Sequence, residues 1–293
     1  MSGRSFPQRP PRVSRLHKLA RIALLCAFAA GLLRSDAIAA LLQPAAATAW
    51  DRYLNWADQR VKREISDSSR FLIQDFLPPK EKASIDRQLE SGSIVVQRIQ
   101  GVIPAGEKLH LPDAEIHHWW GAVLVPGIQL PDLMALLQDY DHHAGHFADV
   151  EKSKLISRNG NLFKFYFRLR RSKSIVTAHY NTEQECEYWD AGPGKAYSRS
   201  IATKIAEIEN AGTSSEHEKT PGDDRGFLWR LVSWWRFKQT TQGVIVECES
   251  ASLSRDIPTL IKIIPGVAEY IKSTPRESLE SVLTSVRKYS NAR

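Results

Sequence analysis

The sequence predicts an α+β protein: one antiparallel sheet with a C-terminal helix laid on its apolar face, preceded by an N-terminal helical extension. Three observations predict it. Strand-like runs follow one another from Ile116 to Arg255 with turn signals between them. After Thr274, Leu279, Val282, Leu283 and Val286 recur at i, i+3, i+4 and i+7, an apolar helical stripe that needs a surface to cover. Near the other end, Trp50, Tyr53, Leu54, Trp56, Ala57 and Val61 repeat at threes and fours within Ala47 to Phe76.

The chain has 293 residues and 42% hydrophobic content, enough for one full core. Its formal charge of +7 would suit a nucleic-acid partner, but the excess sits at the start. Residues 1–39 hold seven basic residues against Asp36 alone, and without them 33 basic face 32 acidic residues. The same stretch has a basic n-region, an apolar run Ile22 to Leu33 and the small-x-small triplet Ala37-Ile38-Ala39, the three parts of a cleavable export signal. The apolar run is too short to span a bilayer. The expectation is therefore a signal peptide over 1–39, an N-terminal helical extension over 40–95 and a main domain over 96–293, with a periplasmic or secreted location and no nucleic-acid partner. Cys186 and Cys248 would then meet an oxidising compartment, leaving open a cross-strand bridge or two buried thiols.

Taken in order, the first helix is stopped by Pro78-Pro79, Lys80 to Leu89 is a second, charged helix, and Ile94 to Ile99 a short strand. Ile116 to Val125 is a strand closed by Pro126-Gly127, and Leu130-Pro131 opens a helix running toward Tyr140. Strands follow at Val150 to Arg158, Leu162 to Arg171, Ile175 to Trp189 and Ala196 to Ile208. In the second of these, Phe163, Phe165 and Phe167 alternate with Lys164, Tyr166 and Arg168, which gives the sheet one apolar and one wet face. Gly226 to Arg255 reads as a long hairpin turning at Gln239 to Gly243, with Trp229, Leu231 and Trp235 on its apolar face. Its other face carries Arg230, Arg236, Glu247 and Glu249, and placing both apolar sets on the core brings Arg236 opposite Glu247 as an outer-face ion pair. Asp256-Ile257-Pro258 starts a helix, Pro265-Gly266 interrupts it, and Thr274-Pro275-Arg276-Glu277 is a capping box that starts the last one.

This element order, with the strings HHWWGAVLVPG, DYDHHAGHF and GFLWRLVSWWRF followed by ECESASLSRDIP, resembles the START-like (SRPBCC, helix-grip) superfamily over residues 96–290, and is most similar to its exported bacterial members. The resemblance implies a curved sheet wrapped on the C-terminal helix around an apolar cavity. The partner it implies is a lipid or other hydrophobic small molecule, with transient membrane contact allowed. Two departures stand out: Pro265 and Pro275 lie where the family has one long helix, and a helical extension precedes the domain.

The ligand-lining residues expected are Trp229, Leu231, Trp235, Phe163, Phe165 and Phe167, with His118 as the inward member of His117-His118, able to orient a ligand carbonyl or carboxylate. No catalytic residue, metal ligand or cofactor is assigned. His142 and His146 have the spacing of zinc-binding helix histidines, but the usual Glu is absent and Gly145 weakens the helix. The alternatives are a cyclase or dehydratase on the same fold, using His117 or His118 and His179 as acid and base, and an interaction module with a filled core.

Overall fold

The computed structural model describes residues 41–99, 109–173, 176–256 and 267–291. The expected export signal, the helix start after Asp256 and the Pro265-Gly266 interruption lie outside them.

Helix α1 (Pro44–Ile65) has Pro at its first turn and buries Ala46, Ala49, Trp50, Tyr53, Ala57 and Val61 along one stripe. It ends well before the expected Phe76. Asp67 Oδ1 accepts the backbone N–H groups of Ser69 and Arg70, both at 2.9 Å, so a side-chain turn replaces the helical ladder. A 3-10 turn (Ile73–Phe76) and α2 (Pro79–Glu90) follow, the latter burying Ile85 and Leu89.

The strands are β1 (Val95–Arg98), β2 (Ala114–Pro126), β3 (Val150–Asn159), β4 (Leu162–Lys173), β5 (Val176–Asp190), β6 (Lys195–Glu209), the short β7 (His217–Glu218), β8 (Arg230–Gln239) and β9 (Gly243–Arg255). Helix α3 (Leu130–Leu137) lies between β2 and β3, and α4 (Val267–Asn291) closes the described chain. One antiparallel sheet runs β1-β2-β9-β8-β6-β5-β4-β3, with β7 on β6. The tight turn after β8 needs Gly243, since a Cβ there would sit 2.1 Å from the Val125 carbonyl oxygen.

The expected capping box at Thr274 is not a helix start. α4 runs through Pro275 without interruption, with loss of that residue's hydrogen-bond donor. Leu279, Leu283 and Val286 of α4 pack with Val123, Phe237, Val244 and Val246, which defines the inner face of the sheet. Where α4 crosses β2, a Cβ on Gly121 would meet Leu283 Cδ1 at 2.7 Å, so the glycine lets the helix settle on the strand.

The other face is not the wet surface expected along the hairpin. Trp50, Ala57, Val61, Phe71 and Leu72 of the extension pack on Val232, Trp234, Ala251 and Leu253, and α2 packs Ile85 and Leu89 beside Trp120, Ala122 and Leu124. The sheet is therefore a middle layer between two helical layers. The outer face opens toward β3–β5, where Lys164, Arg170 and Glu183 are exposed, and at Lys204 of β6 and Arg230 at the start of β8.

Candidate functional site

Strict alternation along β2, β8 and β9 sorts neighbouring residues to opposite faces, and the register aligns them in rows. Nearest the α4 stripe the inner face is apolar: Ala196, Phe237, Val246 and Val123 lie side by side. The next row is Ser198, Trp235, Cys248 and Gly121, and the one beyond it Cys186, Ser200, Ser233, Ser250 and Trp119. A further row brings Leu231, Ser252 and His117 together. Along the strands the inner face thus changes from apolar to hydroxyl-rich.

Some of these polar groups bond one another. Ser200 Oγ donates to Gln184 Oε1 at 3.2 Å, Trp235 Nε1 donates to Ser233 Oγ at 3.1 Å, and His117 Nε2 is 2.9 Å from Ser254 Oγ. Burial lowers the pKa of His117, partly offset by Glu115. Trp119 Nε1 is buried and has no partner among the described residues.

The outer face holds a second polar cluster, built between sheet and extension. Tyr53 Oη and His118 Nδ1 are 2.7 Å apart, and His118 Nε2 lies 2.7 Å from Glu249 Oε1, close but not aligned as a hydrogen bond. Arg60 pairs with both Glu249 and Glu64, and Arg236 reaches Glu64 at 2.5 Å and the Phe71 carbonyl at 3.0 Å. Glu247 accepts the backbone N–H groups of Ile73 at 2.6 Å and Gln74 at 3.2 Å. Arg236 and Glu247 are register partners as expected, yet each turns to the extension, because α1 and the 3-10 turn supply closer ligands than the neighbouring strand. Burial opposes ionisation of Glu249, but the charges of His118, Arg60 and Arg236 hold its carboxyl down at about 2. For Glu247 burial prevails and pushes the carboxyl up to about 7, against Arg236 and the two N–H groups.

Of the expected ligand-lining residues, Leu231, Trp235 and Phe167 face inward and are only partly buried. Phe163 and Phe165 also face inward, but Tyr140, from the segment after α3, covers them, its ring 3.9 Å from that of Phe165 and 5.6 Å from that of Phe163. Trp229 does not line the inner face. It precedes β8, so the period of two does not reach it, and it joins the cluster of Ala114 and Leu253 under α1 with Nε1 bonded to Asp224. His118 is corrected too: alternation sends His117 inward and His118 to the outer cluster, a choice hidden in the sequence because both faces are buried there. His117 and His179 lie on opposite faces, and His179 pairs with Glu151 at 3.1 Å. His118 shares the outer face with His179 but is four strand spacings away, about 19 Å.

His142 and His146 fall in turns after α3 and not on a helix, so their spacing sets up no shared face. Among the described residues no group of three His, Cys, Asp or Glu is placed to hold a metal ion, and no helix is long and apolar enough to cross a membrane. Cys186 and Cys248 are free, buried thiols three strand spacings apart, about 14 Å and beyond the reach of a disulfide. Sequence reasoning missed Trp119 and Ser250, although the alternating serines at 250, 252 and 254 were a period-two signal. It also missed Tyr53, Arg60 and Glu64, which only packing brings to the sheet.

An antiparallel sheet of this order, with a C-terminal helix across its inner face, is a helix-grip fold. No family model and no curated protein matches the sequence. Among solved structures, the chain is similar to the STAR-related lipid transfer protein (fragment 25–204) of Xanthomonas axonopodis, at 15% identity over 67% of this chain and 98% of that one, TM-score 0.44. It is similar to human STARD10 at 8% identity, 78% and 83% coverage and TM-score 0.40. It is also similar to the Zhui aromatase/cyclase of Streptomyces sp. R1128 at 13% identity, 61% and 96% coverage and TM-score 0.36. At these identities the class rests on the topology above.

Proposed function

We propose that the protein binds a hydrophobic or amphipathic small molecule between the inner face of the sheet and α4. One observation carries this. Each tandem Trp pair sends one ring to each face, and in both pairs the outer ring is closed off, Trp120 at 3% and Trp234 at 1% exposure. The inner rings, Trp119 and Trp235, stay partly open although they point toward α4. Large apolar side chains that face inward without being fully covered are what a ligand wall requires.

The test is Leu231→Trp, read by titration with the uncharged apolar dye Nile red beside a urea melt. Leu231 shares its row with Ser252 and His117 and is partly open, so added bulk fills ligand space. Dye binding is expected to fall at least about tenfold with little change in stability. Overpacking of about 1–3 kcal/mol, with no dye bound by the parent protein, would mean a filled core. The proposal includes export, supported by the tripartite pattern of residues 1–39. Terminal sequencing of envelope fractions is expected to find a start near Ala40, and an intact Met1 chain in the cytosol would overturn it.

A further inference from the structure

We infer that the ligand is uncharged and amphipathic, with a hydrogen-bond acceptor oxygen of the alcohol, ester or ketone kind seated against Trp119, Ser250 and Ser252. This rests on the binding reading above and specifies its occupant. The inner face has an apolar end, where Phe237, Val246 and Val123 meet α4, and a polar end two rows away. Trp119 Nε1 is buried at that polar end without a partner among the described residues. An indole N–H only donates, and a donor removed from water without an acceptor is costly, so the group that completes it must bring an acceptor. Ser250 lies beside Trp119 across the β2–β9 ladder, and Ser252 beside His117. Neither serine hydroxyl is engaged by another side chain among the described residues.

The charges around this end argue against an anion. Glu115, facing inward by its register with Ser254, takes up the nearby cation: Arg98 lies 3.7 Å from its carboxylate, and His117 3.9 Å away. Burial favours the neutral form of His117. Among the described residues the subsite thus offers N–H and O–H donors and no spare positive charge, which suits a neutral oxygen better than a carboxylate.

The experiment displaces Nile red from the purified full-length protein with methyl decanoate, decane or sodium decanoate at pH 8. The ester is expected to compete at concentrations about tenfold below those of the other two, the advantage of one buried hydrogen bond. Ser250→Ala and Trp119→Phe should each shrink that gap to roughly threefold or less. The indole N–H resonance of Trp119, assigned by its loss in Trp119→Phe, should shift with the ester and not with decane. Equal competition by ester and decane, tightest binding by decanoate, or a gap unchanged in Ser250→Ala would overturn the inference while leaving the cavity reading intact. Failure of Nile red itself to bind would overturn the binding reading and this one with it. Ser250→Ala removes one oxygen from a partly exposed residue, so it keeps the test valid if Trp119→Phe does not fold.

Discussion

The two faces of the central sheet use the same residue types to different ends. On the outer face, Trp120, Trp234, Arg236, Glu247 and Glu249 are all buried, and the charged groups among them are met by side chains and backbone N–H groups of the extension. On the inner face the rings are as large, but Trp119, Trp235 and Phe167 remain partly open, and beside them lie the hydroxyls of Ser233, Ser250 and Ser252 and the indole N–H of Trp119, with the Glu115–Arg98 pair at the far end. Charge sits where the extension meets the sheet, and the hydroxyls lie on the face where the proposed ligand would bind. The physical reason is that a buried ion pair is destroyed by loss of one partner, whereas an open hydroxyl tolerates exchange of its partner.

The largest expected effect breaks the outer face. Glu249→Ala leaves Arg60 with Glu64 alone and takes the carboxylate from beside buried His118, and should cost about 3–5 kcal/mol in a urea melt. Loss of less than about 1 kcal/mol would mean that the extension is held by apolar packing alone. The same network sets a pH signature. Glu249, held below its unfolded value, contributes stability that is present above about pH 4.5 and is lost as pH falls toward 2. Glu247, raised to about 7, contributes stability that is present below about pH 4.5 and is lost as pH rises through 7. Thermal melts from pH 2 to 8 should show both limbs, and Glu247→Gln should flatten the upper one.

A paired truncation compares the faces directly. Trp234→Ala should cost about 3–5 kcal/mol as a filled-core deletion, and Trp235→Ala about half that, since its ring is already partly open. Equal penalties in denaturant melts would remove the distinction between the faces. Gly121→Ala should cost about 1–3 kcal/mol, because the new methyl meets Leu283 and the Val95 carbonyl where α4 rests. A neutral result would show that α4 lifts off that crossing. Ser250→Ala should stay within about 0.5 kcal/mol in the same melts, its hydroxyl having no side-chain partner to lose.

The sequence carried most of the fold because the sheet obeys local rules. Strand ends at Val150–Asn159 and Lys195–Glu209 fall within a residue of those read from turn signals, and the hairpin register follows from requiring both apolar sets inward. Less of the site was legible. Leu231, Trp235 and Phe167 face inward as alternation implies. Trp229 escapes that rule because it precedes the strand, and Tyr140, distant in sequence, closes the space before Phe163 and Phe165.

The sequence by itself determined the alternation of each strand, the apolar stripe of α4, the stripe of α1 and the opposition of Arg236 to Glu247, since each follows from a period of two or 3.6. Tertiary structure alone decided where the extension lies, and with that which face is sealed. α1 has an apolar stripe that any exposed apolar surface could receive, and its place on the outer face is selected by Arg60, Glu64 and the N–H groups of Ile73 and Gln74 meeting Glu249, Arg236 and Glu247. Those partners lie about 170 to 190 residues apart along the chain. No local pattern encodes so distant a match, because periodicity reports which way a side chain points and not what waits there.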